Sequence, residues 1–135
     1  MKIVVIDGQG GNIGKMLVSE LARLKQEGDC IVAIGTNANA TLNMYKEGAD
    51  ECATGENPVR VACRDADVIL GPIGIVIADS LMGEITPEIA TEIGKSNAFK
   101  VLIPLNKCKN LIVGSDGLKL SELVKSAVKK AYELR

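Results

Sequence analysis

Short apolar runs alternate along the chain with segments whose apolar residues recur every three or four positions. The run Lys2–Asp7 is rich in β-branched residues, which is typical of a buried strand. After it, Ile13, Leu17 and Leu21 lie at helical spacing and predict an amphipathic helix that ends near Gly28. All the apolar runs together predict strands over residues 2–7, 30–35, 49–53, 66–71, 100–105 and 110–114.

Capping signals mark the start of two further helices. Asn57 followed by Pro58 predicts an N-cap and a short helix to about Arg64. Thr86 is expected to cap a helix whose first residue is Pro87. The remaining helices are predicted over residues 38–48, 74–85 and 120–131, and the pattern over 74–85 is the least regular of them.

Strands and helices alternate over the whole chain, which favours an α/β fold. We expect a single nucleotide-binding domain over residues 1–135, built on one doubly wound, mostly parallel sheet with helices on both faces, a Rossmann-like arrangement. In such sheets ligands bind beyond the carboxyl ends of the strands, where the strand order reverses. The turns that follow the strands therefore contain the candidate site residues.

Composition narrows the classes of partner. The 16 basic and 17 acidic residues nearly balance and form no basic block, so neither a nucleic acid nor a membrane surface is an expected partner. The uncharged run Val68–Ala78 is too short to span a bilayer, and residues 1–6 are too short for the apolar part of a signal peptide. A cytoplasmic protein is therefore expected.

Cysteine usage points away from a metal centre. The chain has no histidine, and its four cysteines form no C-x-x-C pair, so no metal site is expected. Cys30, Cys52 and Cys63 stand among apolar residues and are interpreted as small buried side chains of a protein in a reducing compartment.

A glycine-rich loop follows the first strand, with Gly8, Gly10, Gly11 and Gly14 within seven positions. Glycine lets a ligand approach the backbone closely, and the free amides at the start of a helix attract an anion. The amides of residues 10–13 are expected to face a phosphate, while Gly14 would let the helix pack on the sheet. The alternative is a turn that only joins the strand to the helix.

The loop departs from the G-x-G-x-x-G pattern and better resembles the T-G-x-x-x-G-x-G loop of short-chain dehydrogenases. Gly8 and Gly14 match that pattern, whereas Asp7 stands for its Thr and Asn12 for its middle Gly. The resemblance ends there, because the chain has no Tyr-x-x-x-Lys pair and about half the usual length. It therefore implies no dehydrogenase catalysis.

The second strand bears on which nucleotide fits. Proteins that bind NAD usually carry an acidic residue about twenty positions after the glycines, but Thr36 and Asn37 stand there. Their hydrogen bonds would suit the 2′-phosphate of NADP, although no Arg is nearby, and a mononucleotide or a coenzyme A moiety fits about as well. NAD(P) is the first candidate among small phosphate-bearing ligands. The candidate cofactor-binding residues are Gly8, Gln9, Gly10, Gly11, Asn12, Ile13, Gly14, Gly35, Thr36, Asn37, Gly71, Pro72, Ile73, Gly74 and Asn106.

Three further side chains are candidates for chemistry at this edge of the sheet. Asp7 is expected either to accept hydrogen bonds from loop amides or to bind Mg²⁺. Cys108 lies between Lys107 and Lys109, whose charges would lower its pKa and make it a candidate nucleophile or redox thiol. Glu56 is a candidate general base from its position alone. The alternatives are an ordinary cysteine and an acid that belongs only to its turn.

Six segments of the chain carry a family resemblance, namely VIDGQGG.IG, IGTNA.AT, GADE.ATGEN, ADVI.GPIGI, GEITP and IPLN.C. Together they resemble a family of small bacterial proteins, found mainly in anaerobes, that is known as a domain of unknown function. The resemblance covers nearly the whole chain. It implies a Rossmann-like fold and supplies no activity.

Three functions remain open from the sequence. The first is a small sensor or regulatory module that binds a nucleotide-type ligand, which the lack of histidine, of a Tyr-Lys pair and of a second domain favours. The second is a small NAD(P)-linked oxidoreductase or a partner subunit of one. The third is an interaction protein whose glycine loop is only structural. The apolar segment 74–82 predicts either a homodimer surface or a buried helix.

Overall fold

The computed structural model describes residues 1–105 and 109–134. Its strands are β1 (Lys2–Asp7), β2 (Cys30–Gly35), β3 (Glu51–Thr54), β4 (Val68–Pro72) and β5 (Phe99–Ile103). Its helices are α1 (Asn12–Leu24), α2 (Ala38–Tyr45), α3 (Glu56–Ala62), α4 (Pro87–Lys95) and α5 (Leu120–Glu133), with a short 3-10 helix at Ile73–Val76.

The five strands form one sheet in the order β3-β2-β1-β4-β5, and every pair of neighbours is parallel. The chain winds from β1 out to β3 and then returns to the other side of β1. The order therefore reverses between β1 and β4, and the expected doubly wound, Rossmann-like fold is confirmed.

Helices cover both faces of the sheet. In β1, Ile3 and Val5 point into a core shared with α1, α2 and α5, whereas Val4 and Ile6 point into a second core shared with α3 and α4. All four side chains are fully buried. This is the reason why β1 is an almost continuous apolar run rather than an alternating one.

Of the two helix starts predicted from capping signals, one is confirmed and the other is wrong. Thr86 caps α4 as predicted, because its hydroxyl accepts a hydrogen bond from the amide of Ile89. Asn57 is not an N-cap, which is a correction: α3 begins at Glu56, two residues before the predicted start at Pro58. Gly55 precedes it with a φ of 112° that favours glycine. Helix α1 also ends at Leu24 rather than near Gly28.

Two predicted elements are wrong. Residues 110–114 form no strand in the described structure, because the segment pairs with no strand, and the side chains of Leu111 and Val113 are 72% and 94% exposed. Residues 74–85 are helical only up to Val76 and then turn repeatedly, with left-handed backbone at Leu81 and Met82. A buried helix is thus excluded for this segment, and the homodimer surface stays a prediction.

The cysteine interpretation holds for Cys63, which is buried, but is wrong for Cys52. Cys52 is exposed because β3 is an edge strand with β2 as its one described neighbour. Cys30 is half-buried. Within the described residues, no helix has the length and apolar character needed to cross a membrane.

Gly14 lets α1 approach the sheet closely. A Cβ atom at this position would lie 2.4 Å from Sδ of Met44 and 2.8 Å from Cβ of Asp7. Both neighbours are buried, so neither can move aside freely. We predict that Gly14→Ala lowers the free energy of unfolding by about 1–3 kcal/mol, measured by chemical denaturation.

Gly94 provides the matched control. It also lies inside a helix, α4, but within the part of the chain that the structure describes a Cβ there would meet no heavy atom within 4 Å. Gly94→Ala should therefore raise the free energy of unfolding by about 0.5–1 kcal/mol through helix propensity. Equal effects of the two substitutions would contradict the close-packing explanation.

Candidate functional site

A cavity of about 170 Å³ opens at the carboxyl ends of β1 and β4, where the strand order reverses. The glycine-rich loop forms one wall of it, and apolar side chains form the other. The lining residues are Asp7, Gly8, Gln9, Gly10, Gly11, Asn12, Ile13, Pro72, Leu81, Leu105 and Leu120. Its place in the sheet is the one at which α/β folds bind ligands.

The loop is folded tightly against α2. Gly11 has a φ of 69°, and a Cβ there would lie 2.8 Å from Cα of Ala40, so only glycine fits. Its amide donates to the carbonyl of Gly8 over 2.8 Å. Gly10 differs, because a Cβ there would meet no heavy atom of the described residues within 4 Å. Gly11 is thus required by packing, whereas the Gly10 position is open.

Two asparagine side chains orient the peptide groups of the loop. Asn37 donates through Nδ2 to the carbonyl of Gln9, and Asn43 donates through Nδ2 to the carbonyl of Gly10, both over 2.9 Å. Since the N–H of a planar trans peptide points opposite to its carbonyl, the Gly10 amide points away from α2. Within residues 1–105 and 109–134, the amides of Gly10 and Asn12 have no acceptor.

Asp7 occupies the start of α1 with its own carboxylate. Its Oδ1 accepts from the amide of Gly8 over 2.8 Å, and its Oδ2 accepts from the amide of Gly14 over 2.7 Å. The expected hydrogen bonds to loop amides are therefore present. The described residues contain no group of three or more His, Cys, Asp or Glu side chains that could hold a metal ion.

The environment of Asp7 makes it a weaker acid than a free aspartate. Burial raises the pKa of this carboxyl above its ordinary value, against the amide hydrogen bonds from Gly14 and Gly8, which lower it. The charge of Glu84 adds to the increase. The site thus holds a buried acid that binds a proton more readily than a free aspartate.

Glu84 is a site residue that the sequence reasoning missed. It belongs to residues 77–85, a segment hereafter called the strap, which crosses from β4 toward the end of β2. The Glu84 carboxylate accepts hydrogen bonds from the Gln9 amide over 3.1 Å, the Thr36 hydroxyl over 2.8 Å and the Asn37 Nδ2 over 2.7 Å. In the sequence, Glu84 was indicated only by its place in the motif GEITP.

These hydrogen bonds keep Glu84 ionised. Partial burial alone would raise its pKa. The bonds from the three donors outweigh that effect, so the pKa of Glu84 lies below its ordinary value. At neutral pH a full negative charge therefore lies beside the glycine-rich loop.

Several residues that were predicted to bind the cofactor have a packing role in this structure. A Cβ at Gly35 would lie 2.3 Å from the hydroxyl of Thr41, and one at Gly71 would lie 2.4 Å from the carbonyl oxygen of Ile6. Ile73 begins the 3-10 helix. Thr36 donates a hydrogen bond to Glu84, and Asn37 donates to both Glu84 and the carbonyl of Gln9.

The remaining candidates lie around or outside the cavity. Pro72 lines it, and Gly74 borders a smaller neighbouring cavity of about 20 Å³. The Glu56 carboxylate accepts a hydrogen bond from the hydroxyl of Thr86. Asn106 and Cys108 lie outside the described residues.

Solved structures of similar fold include two enzymes. One is a dodecameric FMN-dependent Ubix-like decarboxylase from Escherichia coli O157:H7, with a TM-score of 0.52 and 14% identity over 98% of this chain and 93% of that one. The other is a nucleoside-diphosphate-sugar epimerase from Pseudomonas aeruginosa, with a TM-score of 0.47 and 14% identity over 99% of this chain. This chain spans about half the length of the epimerase, since the match covers 48% of it.

The fold, the strand order and the cleft define a small Rossmann-like α/β protein. The chain belongs to the family described as domain of unknown function DUF3842, whose model matches residues 2–135. The family resemblance identified from the sequence is thereby confirmed. No curated protein sequence is significantly similar to the chain.

The raised pKa of Asp7 predicts a pH dependence of stability. The folded protein binds a proton at Asp7 more tightly than the unfolded chain does, so this group contributes less stability as pH rises. The fall occurs between the ordinary aspartate pKa of about 4 and the raised value in the folded state. Asp7→Asn removes this effect. The difference in unfolding free energy, wild type minus Asp7→Asn, should therefore decrease as pH rises through that window.

Chemical denaturation of both proteins at a series of pH values measures this difference. Titration of other groups is common to both proteins, so it largely cancels in the comparison. A difference that is constant with pH, or that increases with pH, would show that burial does not dominate at Asp7.

Proposed function

We propose that this protein binds a nucleotide-type ligand, with a phosphate over residues 8–14, and acts as a small sensor or regulatory module. The observation that carries the proposal is the pair of amides at Gly10 and Asn12, which border the cavity at the start of α1 and have no acceptor among the described residues. Amides at a helix N-terminus are suited to bind an anion, and the cavity lies where α/β folds bind nucleotides.

NAD(P) is the first candidate for the ligand. The cavity itself accommodates a phosphate and its nearest atoms, and the glycine-rich loop leads from it toward Thr36 and Asn37 at the end of β2. This is the path that a dinucleotide follows in a Rossmann-like fold. The decarboxylase of similar fold depends on FMN, also a nucleotide, which agrees with a ligand of this general class.

A binding role is favoured over a catalytic one by the lining of the cavity. Asp7 is the one ionisable side chain among the described lining residues, and both of its oxygens accept backbone amides. The other described lining residues offer no nucleophile and no proton donor of suitable pKa. An oxidoreductase would need a reacting group from outside these described lining residues, for example from a second subunit.

The open position at Gly10 allows a clean test of phosphate binding. Gly10→Asp and Gly10→Asn add side chains of the same shape in open space, and only the former adds a negative charge. A like charge within about 4–6 Å of a phosphate costs about 1–4 kcal/mol at a protein surface. We therefore expect Gly10→Asp to bind the nucleotide at least about tenfold more weakly than Gly10→Asn.

Thermal unfolding with NAD(H), NADP(H), FAD, coenzyme A and ATP identifies the ligand first. A ligand at ten times its dissociation constant adds about 1.4 kcal/mol of stability. Titration calorimetry of the two Gly10 variants then measures their affinities. No shift of the wild-type melting temperature with any nucleotide, or equal affinities of the two variants, would contradict the proposal and favour an interaction protein with a structural loop.

A further inference from the structure

Three hydrogen-bond donors, two just after β2 and one in the glycine-rich loop after β1, are directed at the carboxylate of Glu84. The Thr36 hydroxyl, the Asn37 side-chain amide and the Gln9 backbone amide all donate to Glu84. If a dinucleotide lies here as in other Rossmann-like folds, a phosphate on the 2′-oxygen of its ribose would need these same donors. The Glu84 carboxylate therefore occupies the position that such a phosphate would need, and its negative charge would repel that phosphate.

The carboxylate still has capacity to accept. Its Oε1 receives the bonds from Thr36 and Asn37 and part of that from Gln9, whereas Oε2 receives only the bond shared with Gln9 among the described residues. An ionised carboxylate offers about four acceptor positions. Since Glu84 is only half-buried, Oε2 can accept a hydroxyl from a bound ligand.

The strap fixes Glu84 in this place. The amide of Asp79 donates to the carbonyl of Ile85 over 2.7 Å, and the hydroxyl of Ser80 donates to the carbonyl of Gly74. The Leu81 side chain lies against Gly8, 3.0 Å from where a Cβ would stand. An acceptor held by such contacts is positioned before the ligand arrives, which favours affinity and selectivity.

We infer that Glu84 is the specificity-determining residue that binds a ribose hydroxyl, so that the site selects a nucleotide with a free 2′-hydroxyl over one with a 2′-phosphate. The inference rests on the proposed nucleotide binding and names the ligand class more closely. In NAD-binding folds the equivalent acid follows the second strand. Here it comes from the strap, and the residues at the end of β2 serve as its donors.

Two pairs of ligands test the inference, because the members of each pair differ in the 2′-phosphate. They are NADH with NADPH, and 5′-AMP with adenosine 2′,5′-bisphosphate. We expect the wild-type protein to bind the first member of a pair at least about tenfold more tightly, since the 2′-phosphate meets the charge of Glu84. Titration calorimetry measures all four affinities.

Glu84→Gln removes the charge with little change of shape. In this variant the affinity ratio within a pair should fall several-fold from the wild-type value toward one. The melting temperature and circular dichroism verify that the variant is folded. Glu27→Gln is the matched control, because it removes an exposed carboxylate at the turn between α1 and β2, away from the cleft. Its ratio should equal that of the wild type.

Each outcome of these titrations supports or overturns the inferred role of Glu84. Equal wild-type affinities within a pair that are weakened by Gly10→Asp would overturn the role of Glu84 and leave the proposed function intact. An unchanged ratio in folded Glu84→Gln would do the same, and if this variant does not fold, the wild-type ratio alone decides. If the wild type binds none of the four ligands, the inference and the binding of adenine nucleotides fail together.

Discussion

The close approach of α1 to the end of β1 determines the geometry of the whole cleft. It depends on the missing side chain at Gly14, since Met44 and Asp7 leave no space for a Cβ atom. The Asp7 carboxylate then joins the last residue of the strand to the helix through the amides of Gly8 and Gly14. The five residues between these amides must form a tight arc, which requires the left-handed backbone of Gly11.

This arrangement uses most of the donors that a glycine-rich loop could offer to an anion. Asp7 interacts with the amides of Gly8, Gly14 and Ile13, Glu84 accepts that of Gln9, and the Gly8 carbonyl accepts that of Gly11. An incoming phosphate is left with two amides and the helix dipole. Under the proposed function, two amides would bind one phosphate modestly, and the apolar wall at Leu81, Leu105 and Leu120 would supply much of the affinity.

The sequence allowed most of the fold to be predicted, because buried parallel strands and capped helices leave strong local patterns. The run Lys2–Asp7 and the cap at Thr86 are two such patterns. Residues 110–114 show the limit of this reasoning, since an apolar run becomes a strand only if a neighbouring strand offers hydrogen bonds. The packing role of Gly11 could not be predicted from the sequence for a similar reason, because its contact with Ala40 joins residues far apart in the chain.

Glu84 could not be found by a rule that counts residues from the glycines. The position of an acceptor above the end of β2 is fixed in space, and the strap reaches it from β4 with left-handed backbone at Asp79, Leu81 and Met82. Such backbone is unusual for residues other than glycine, so local preference predicted a helix there instead. The position of the strap changes the interpretation of Thr36 and Asn37. They are donors that stabilise the charge of Glu84. In the inferred role, Glu84 takes the place of the acid that the sequence lacks after β2.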